Sequence, residues 1–167
     1  GIISTGDELV DVDAMPSLGQ VRDMNSYALH AAARLAGARP EILGIVRDDY
    51  ASLAQAMRDA LPRVDMLIVS GGSSIGVRDF AREAIDSLGK PGVLVHGVAV
   101  KPGKPTIIAV ADGIPIFGLP GHPVSCLTVF RLLVEPAIAR WMGGRLVSRE
   151  LVARIGANVA SAAGREE

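Results

Sequence analysis

The run DMLIVS at residues 65–70, followed at once by a glycine pair, limits the fold more than any other stretch of this chain. It is too short for a stable helix and is apolar without alternation. A strand of that kind is buried on both faces, as a parallel strand is when helices cover it above and below. The rest of the chain repeats the theme. GIIS (1–4) reads as the end of a buried strand, and PEILGIV (40–46) and GVLVHGVAV (92–100) read as strands. TIIAV and IPIFGL are two more, joined by ADG, a hairpin-type turn. Between them lie helical patterns. One is capped by Asn25 or Ser26 and runs to Leu35, with Tyr27, Leu29, Ala32 and Ala33 available to its buried face and Gly37 ending it. A second starts at Asp48 and Asp49 and is stopped by Pro62 after about Leu61. A third spans about Phe80 to Leu88, and a fourth about Val124 to Met142.

Strands alternating with helices predict an α/β fold: a three-layer, open, mostly parallel sheet with helices on both faces and right-handed crossovers. Composition agrees. Apolar residues make up 49% of the chain but aromatics only 4%, so Ala, Val, Leu and Ile must fill the core. The length suits one domain over residues 1–144. RLVSRELVARI alternates and reads as the first strand of a second, β-rich domain cut short within 145–167. The chain begins in mid-strand without methionine, as expected of part of a longer protein.

The bulk numbers exclude several functions. Seventeen basic against eighteen acidic side chains give a net charge of −1 with no long basic run, which argues against nonspecific nucleic-acid binding. No apolar run reaches the roughly 18 residues a membrane span needs. The single cysteine, Cys126, excludes an internal disulfide and fits a reducing compartment.

In open α/β sheets ligands bind at the carboxyl ends of the strands. The unusual loops of this chain fall there: residues 5–8, 47–49, 71–79, 101–105 and 119–123. SGGSSIGVRD would let backbone N–H groups approach a phosphate closely ahead of a helix N-terminus, with a tight strand-to-helix turn as the alternative. It is not a Walker A loop, because Val77 stands where lysine would follow Gly76. Asp7 and Glu8 lie just past the first strand, where Mg2+ could use few protein ligands; solvated loop carboxylates are the plainer account. Asp48 and Asp49 offer the same choice, with helix capping as the alternative. In VKPGKP, prolines hold Lys101 and Lys104 in a stiff non-helical loop, suited to an oxyanion or pyrophosphate. His122 and Cys126 are four apart, but no second pair completes a zinc site. His30 and His96 read as packing or surface groups.

Taken in order, STGDEL, GQVRDMNS, GIVRDD, SGGSSIGVRD, VAVKPGKP and GLPGHPVS resemble the molybdopterin-binding domain of the molybdopterin molybdotransferases, the MoeA type like the gephyrin E domain. The resemblance covers residues 2 to about 144. GGxSxGxxD together with KPGKP points to that branch. The molybdopterin adenylyltransferases carry a GGTG loop, absent here, and CinA-like proteins share the fold without KPGKP. The resemblance implies the MoaB/Mog-like fold and a cytoplasmic enzyme that inserts molybdate into adenylylated molybdopterin and releases AMP with Mg2+. It also implies a homodimer in the full-length parent, whose cleft includes a neighbouring subunit's domain, so that this fragment alone is expected to be poorly active. Carried over by position, Glu8, Asp48 or Asp49, and Asp79 are acidic and metal-binding site residues. Lys101 and Lys104 join Glu8, Asp49 and Asp79 as catalytic candidates. Thr5, Gly6, Gly71, Gly72, Ser74, Gly76, Pro120, Gly121, His122 and Pro123 are ligand-binding candidates. The family loop is usually LPGNP, so His122 replaces an asparagine. Two rival functions share this fold: a molybdopterin-binding scaffold without catalysis, and a CinA-like nucleotide hydrolase.

Overall fold

In a computed structural model of the chain, which describes residues 1–71, 78–144, 151–154 and 156–157 (78 and 79 by backbone only), the apolar run becomes a strand at the centre of a sheet. In chain order the strands are β1 (Ile2–Thr5), β2 (Leu9–Val10), β3 (Val21–Arg22), β4 (Ile42–Val46), β5 (Leu67–Gly71), β6 (Pro91–His96), β7 (Ile107–Ala111) and β8 (Ile114–Leu119). The helices are α1 (Asn25–Leu35), α2 (Tyr50–Ala60), α3 (Arg78–Asp86), α4 (Pro123–Val129) and α5 (Glu135–Trp141). Six strands form the main sheet in the order β4-β1-β5-β8-β7-β6. Strands β4, β1, β5 and β8 are parallel. Strand β7 returns antiparallel to β8 through the Asp112–Gly113 turn, where both residues adopt positive φ, and β6 runs antiparallel to β7. The carboxyl ends of β4, β1, β5, β8 and β6 therefore share one edge.

Successive strand residues point to opposite faces, so one apolar run feeds two cores. Ile3, Val69 and Ile116 meet Leu53, Ala54 and Met57 of α2 and Ala81, Ala84 and Ile85 of α3. Ile2, Ile68 and Phe117 meet Leu29 and Ala33 of α1 and Val129, Phe130, Val134 and Ile138 from the C-terminal helical stretch. This is the three-layer, mostly parallel α/β arrangement expected from the alternation.

Several local expectations change. Helix α1 is not capped by Asn25 or Ser26: the buried Asp23 side chain accepts the Ser26 N–H at 3.1 Å, and Met24 occupies the cap position. Tyr27 lies 49% exposed rather than on the buried face, because the stripe toward the sheet runs through Ser26, Leu29 and Ala33. The helix expected over 124–142 contains a π-helical turn, Phe130–Val134, before α5. The Glu135 N–H donates to the Phe130 carbonyl five residues back, and the wider turn precedes Pro136, which has no N–H to give. The loop after β1 is not wholly irregular, since β2 and β3 pair within it. Strand β6 stops at His96, short of residue 100, as Gly97 turns away at φ +92°. Of the strand expected from residue 145 onward, only 151–154 are described, exposed and without regular structure; the rest lies outside the described residues.

Gly71 has φ +113°, and a Cβ there would stand 2.0 Å from the Thr5 carbonyl oxygen. Strand β5 thus meets β1 backbone to backbone at the carboxyl edge. Gly71→Ala is expected to lower the free energy of unfolding by about 2–3 kcal/mol. Gly19→Ala, at φ +84° with nothing within 4 Å, should cost only about 1 kcal/mol. Equal denaturant midpoints for the two variants would contradict this reading of the edge.

Candidate functional site

At the end of β1, Thr5 is buried and its hydroxyl donates to Asp48 Oδ1 at 2.6 Å. The Asp48 N–H in turn donates to Asp7 Oδ1 at 3.3 Å. Gly6 turns the chain between them: its N–H reaches the Val46 carbonyl at 3.3 Å, and its own carbonyl accepts the Leu9 N–H at 3.1 Å. Burial raises the Asp48 pKa above its ordinary value, and the charges of Glu8 and Asp7 push the same way, against the Thr5 hydrogen bond. Asp49, one residue on, belongs to another environment. It caps α2, accepting the Ser52 N–H at 2.8 Å, and hydrogen bonding from the Ser52 side chain and then its backbone lowers its pKa. The choice between the two aspartates therefore divides them: Asp48 sits with Thr5, Asp7 and Glu8, while Asp49 starts a helix.

The next loop along the edge follows β5. Of its candidates, Gly71 is placed as above; Gly72, Ser74, Gly76 and the Asp79 side chain lie outside the described residues. Beyond β8 comes the turn containing Pro120, Gly121, His122 and Pro123. Pro120 is buried, and Pro123 opens α4, where its missing N–H costs nothing. The exposed His122 holds the cap position through its backbone, its carbonyl accepting the Cys126 N–H at 2.9 Å, and its side chain makes no capping bond. Cys126 is buried 3.7 Å from Ser70 Oγ, and burial pushes its thiol up to about 11. It is a packed, protonated thiol rather than half of a zinc pair. Among the described residues no group of three or more His, Cys, Asp or Glu side chains is placed to hold a metal ion.

The fifth loop connects β6 to β7. Lys101 and Lys104 are exposed, but the backbone between them is pinned. Gly103, at φ +136°, lies so close to α4 that a Cβ would stand 2.5 Å from Val129 Cγ2. The Thr106 hydroxyl, fully buried, donates to the Gly103 carbonyl at 2.7 Å. The Val98 and Thr106 N–H groups both reach the Lys104 carbonyl, at 3.0 and 2.9 Å. Carboxylates thus gather at the β1–β4 end of the edge and ammonium groups at the β6–β7 end. Strand β1 is three places from β7, or about 14 Å at about 4.8 Å per strand.

Two features were not read from the sequence. Asp23 is buried at the start of α1, and Asn25 reaches across the edge, its amide nitrogen donating to Ser70 Oγ at 2.8 Å and to the Gly121 carbonyl at 2.7 Å. The only signal was the presence of two capping-type residues, separated by Met24, where one would suffice.

Residues 1–140 match the family described as "Probable molybdopterin binding domain". The chain belongs to that family. It is 39% identical over 142 residues to the molybdopterin molybdenumtransferase of Bacillus subtilis, an alignment covering 85% of this chain and 33% of that protein. The molybdopterin biosynthesis MoeA protein of Pyrococcus horikoshii superposes with a TM-score of 0.77 at 43% identity, covering 85% of this chain and 34% of the other. The CinA protein of Thermoplasma acidophilum superposes at 0.64 with 16% identity, covering 82% of this chain and 95% of that one, which is a likeness of fold alone. The molybdopterin-binding family and α/β fold expected from the motifs are thereby established, and the transferase relatives favour molybdenum cofactor biosynthesis over the CinA-like alternative. The domain spans about a third of the length of the transferase and the MoeA protein it matches. Among its described residues no helix is long and apolar enough to cross a membrane.

The raised pKa of Asp48 fixes the sign of a pH effect. Its folded state holds a proton more tightly than the unfolded chain, so ionisation destabilises the fold. That penalty is absent well below the ordinary value of 3.8 and grows as pH rises through the raised folded value. Asp48→Asn keeps an oxygen for the Thr5 hydroxyl and removes the charge. It should raise the melting temperature by about 1–3 °C at pH 7 and leave it unchanged at pH 3. A variant less stable than the parent at pH 7 would contradict the assignment.

Proposed function

We propose that this chain is the molybdopterin-binding domain of a molybdenumtransferase, and that the full protein inserts molybdate into adenylylated molybdopterin with release of AMP. The observation that carries the reading is the arrangement along one sheet edge. A carboxylate cluster lies at one end and a pinned loop with two lysines at the other, with the end of β5 and the turn after β8 between them. An elongated ligand bearing a phosphoanhydride suits such an edge. In this reading Lys101 and Lys104 balance the charge of phosphate or molybdate from a loop that needs no reorganisation. Thr5, Gly6, Gly71, Gly72, Ser74, Gly76 and the Pro120–Gly121–His122–Pro123 turn surround the ligand, and Asp79 supplies a further carboxylate.

The donor set also suits a hard divalent cation. Asp48 is held above its ordinary pKa partly by the charges of Glu8 and Asp7, and a cation there would relieve that repulsion. Mg2+ needs only one or two carboxylates plus ligand oxygens. Asp48 and Glu8 would hold it, and when bound it would neutralise charge on the anhydride that releases AMP. Asp49 contributes through the position of α2 rather than as a ligand. We place the full protein in the cytoplasm as a homodimer whose partner completes the cleft.

Titration of molybdopterin into the protein, with and without Mg2+, tests this. Lys101→Ala and Lys104→Ala should each weaken binding about tenfold, the scale of a charge-assisted hydrogen bond. Asp48→Asn should remove the Mg2+ enhancement, whereas Asp49→Ala should retain it. Binding that persists in both lysine variants would sink the assignment. Tight binding by a full-length parent that releases no AMP would reduce the function to the scaffold reading.

A further inference from the structure

We propose that Asn25 is a positioning residue of this site: it locks the end of β5 to the turn after β8, so that Ser70 and Gly121 keep one fixed separation. This rests on the ligand reading above for its consequence, but the lock itself is read from geometry.

Helix α1 does not need the Asn25 side chain. The residue is the first of the helix, and Asp23 supplies the capping acceptor to Ser26. Asn25 spends its amide elsewhere. Both of its hydrogens are used, one on Ser70 Oγ and one on the Gly121 carbonyl, groups 45 and 96 residues away along the chain. A backbone carbonyl only accepts, so the nitrogen must be the atom that faces Gly121, and the orientation of the amide is fixed.

Both partners stand at points where movement would be passed on to a loop. Ser70 immediately precedes Gly71, which has no slack against the Thr5 carbonyl. Gly121 lies inside the turn that opens α4. The connection closes on itself: Ser70 Oγ lies 3.7 Å from Cys126 Sγ, and the Cys126 N–H holds the His122 carbonyl, next to Gly121. Asn25, Ser70, Cys126 and the 121–122 backbone form a ring across β5, α1 and α4. Ser70 and Cys126 are buried, where a lost partner is costly. Only a neutral primary amide of this length can supply both donors. Aspartate would fill the same space but set a carboxylate against the Gly121 carbonyl.

That difference separates positioning from space filling. Asn25→Asp and Asn25→Ala are compared with the parent by amide hydrogen exchange and by molybdopterin titration. Exchange at residues 119–126 should speed up about tenfold or more in the aspartate variant and less in the alanine variant, with residues 53–60 of α2 unchanged as a control for folding. Molybdopterin affinity should fall in the same order, by about tenfold for aspartate. Unchanged exchange and affinity in Asn25→Asp, or a larger defect in Asn25→Ala, overturns the proposal. If the parent itself binds no molybdopterin, the ligand reading fails, and exchange alone decides whether Asn25 is the lock.

Discussion

The structure depends on one close approach: β5 meets β1 at the carboxyl edge with no room for a side chain at Gly71. A sheet covered on both faces has no other place for polar chemistry, because its faces are spent on two apolar cores. The strand ends are where backbone groups lose their ladder partners and where loops must begin. With β1 and β5 in register as Ile2 with Ile68 through Thr5 with Gly71, the two strands end at the same level. Thr5 then stands beside Asp48 from the other neighbour, β4, where Thr5 pairs with Val46. The glycine contact and the β1–β4 pairing together bring the ends of β1, β4 and β5 to a common edge.

Electrostatics at that edge comes from how the loops share hydrogen bonds. Asp48 and Asp49 are adjacent and chemically identical, yet their carboxyl pKa values move in opposite directions. The Ser52 side chain and the backbone N–H donors at a helix start favour the charge on Asp49. Asp48 has one hydroxyl, partial burial and two like charges nearby, and its charge is disfavoured. A helix start thus favours the charge on one carboxylate, while burial and like charges disfavour it on its neighbour.

The sequence made the layers legible because they rest on periodicity. Wholly apolar short runs, helical patterns between them and an Asp-Gly hairpin turn all survive in the structure. The strand-end loops were legible as loops, since Gly and Pro there break the periodicity of the strands and helices. What was not legible depends on distances between segments far apart in sequence. Asn25 reads as a cap because asparagine usually caps, and nothing local reveals Ser70 and Gly121 as its partners. Tyr27 reads as buried on a 3.6-residue stripe whose phase is set by which residues reach the sheet. The π-turn before Pro136 is hidden for a similar reason: helical periodicity continues through it.

His122 shows which positions of the turn after β8 the fold uses and which it leaves open. Pro120 is buried, Gly121 gives its carbonyl to Asn25, and Pro123 begins α4, so each has a use in the fold. His122 contributes its backbone carbonyl to Cys126, which any residue could do, and leaves an exposed side chain with no capping bond. Exchanging asparagine for histidine there disturbs no packing and strands no buried donor. The fold therefore sets the frame of the turn and leaves the identity of position 122 open. An imidazole at that exposed position offers one donor and one acceptor in place of an amide.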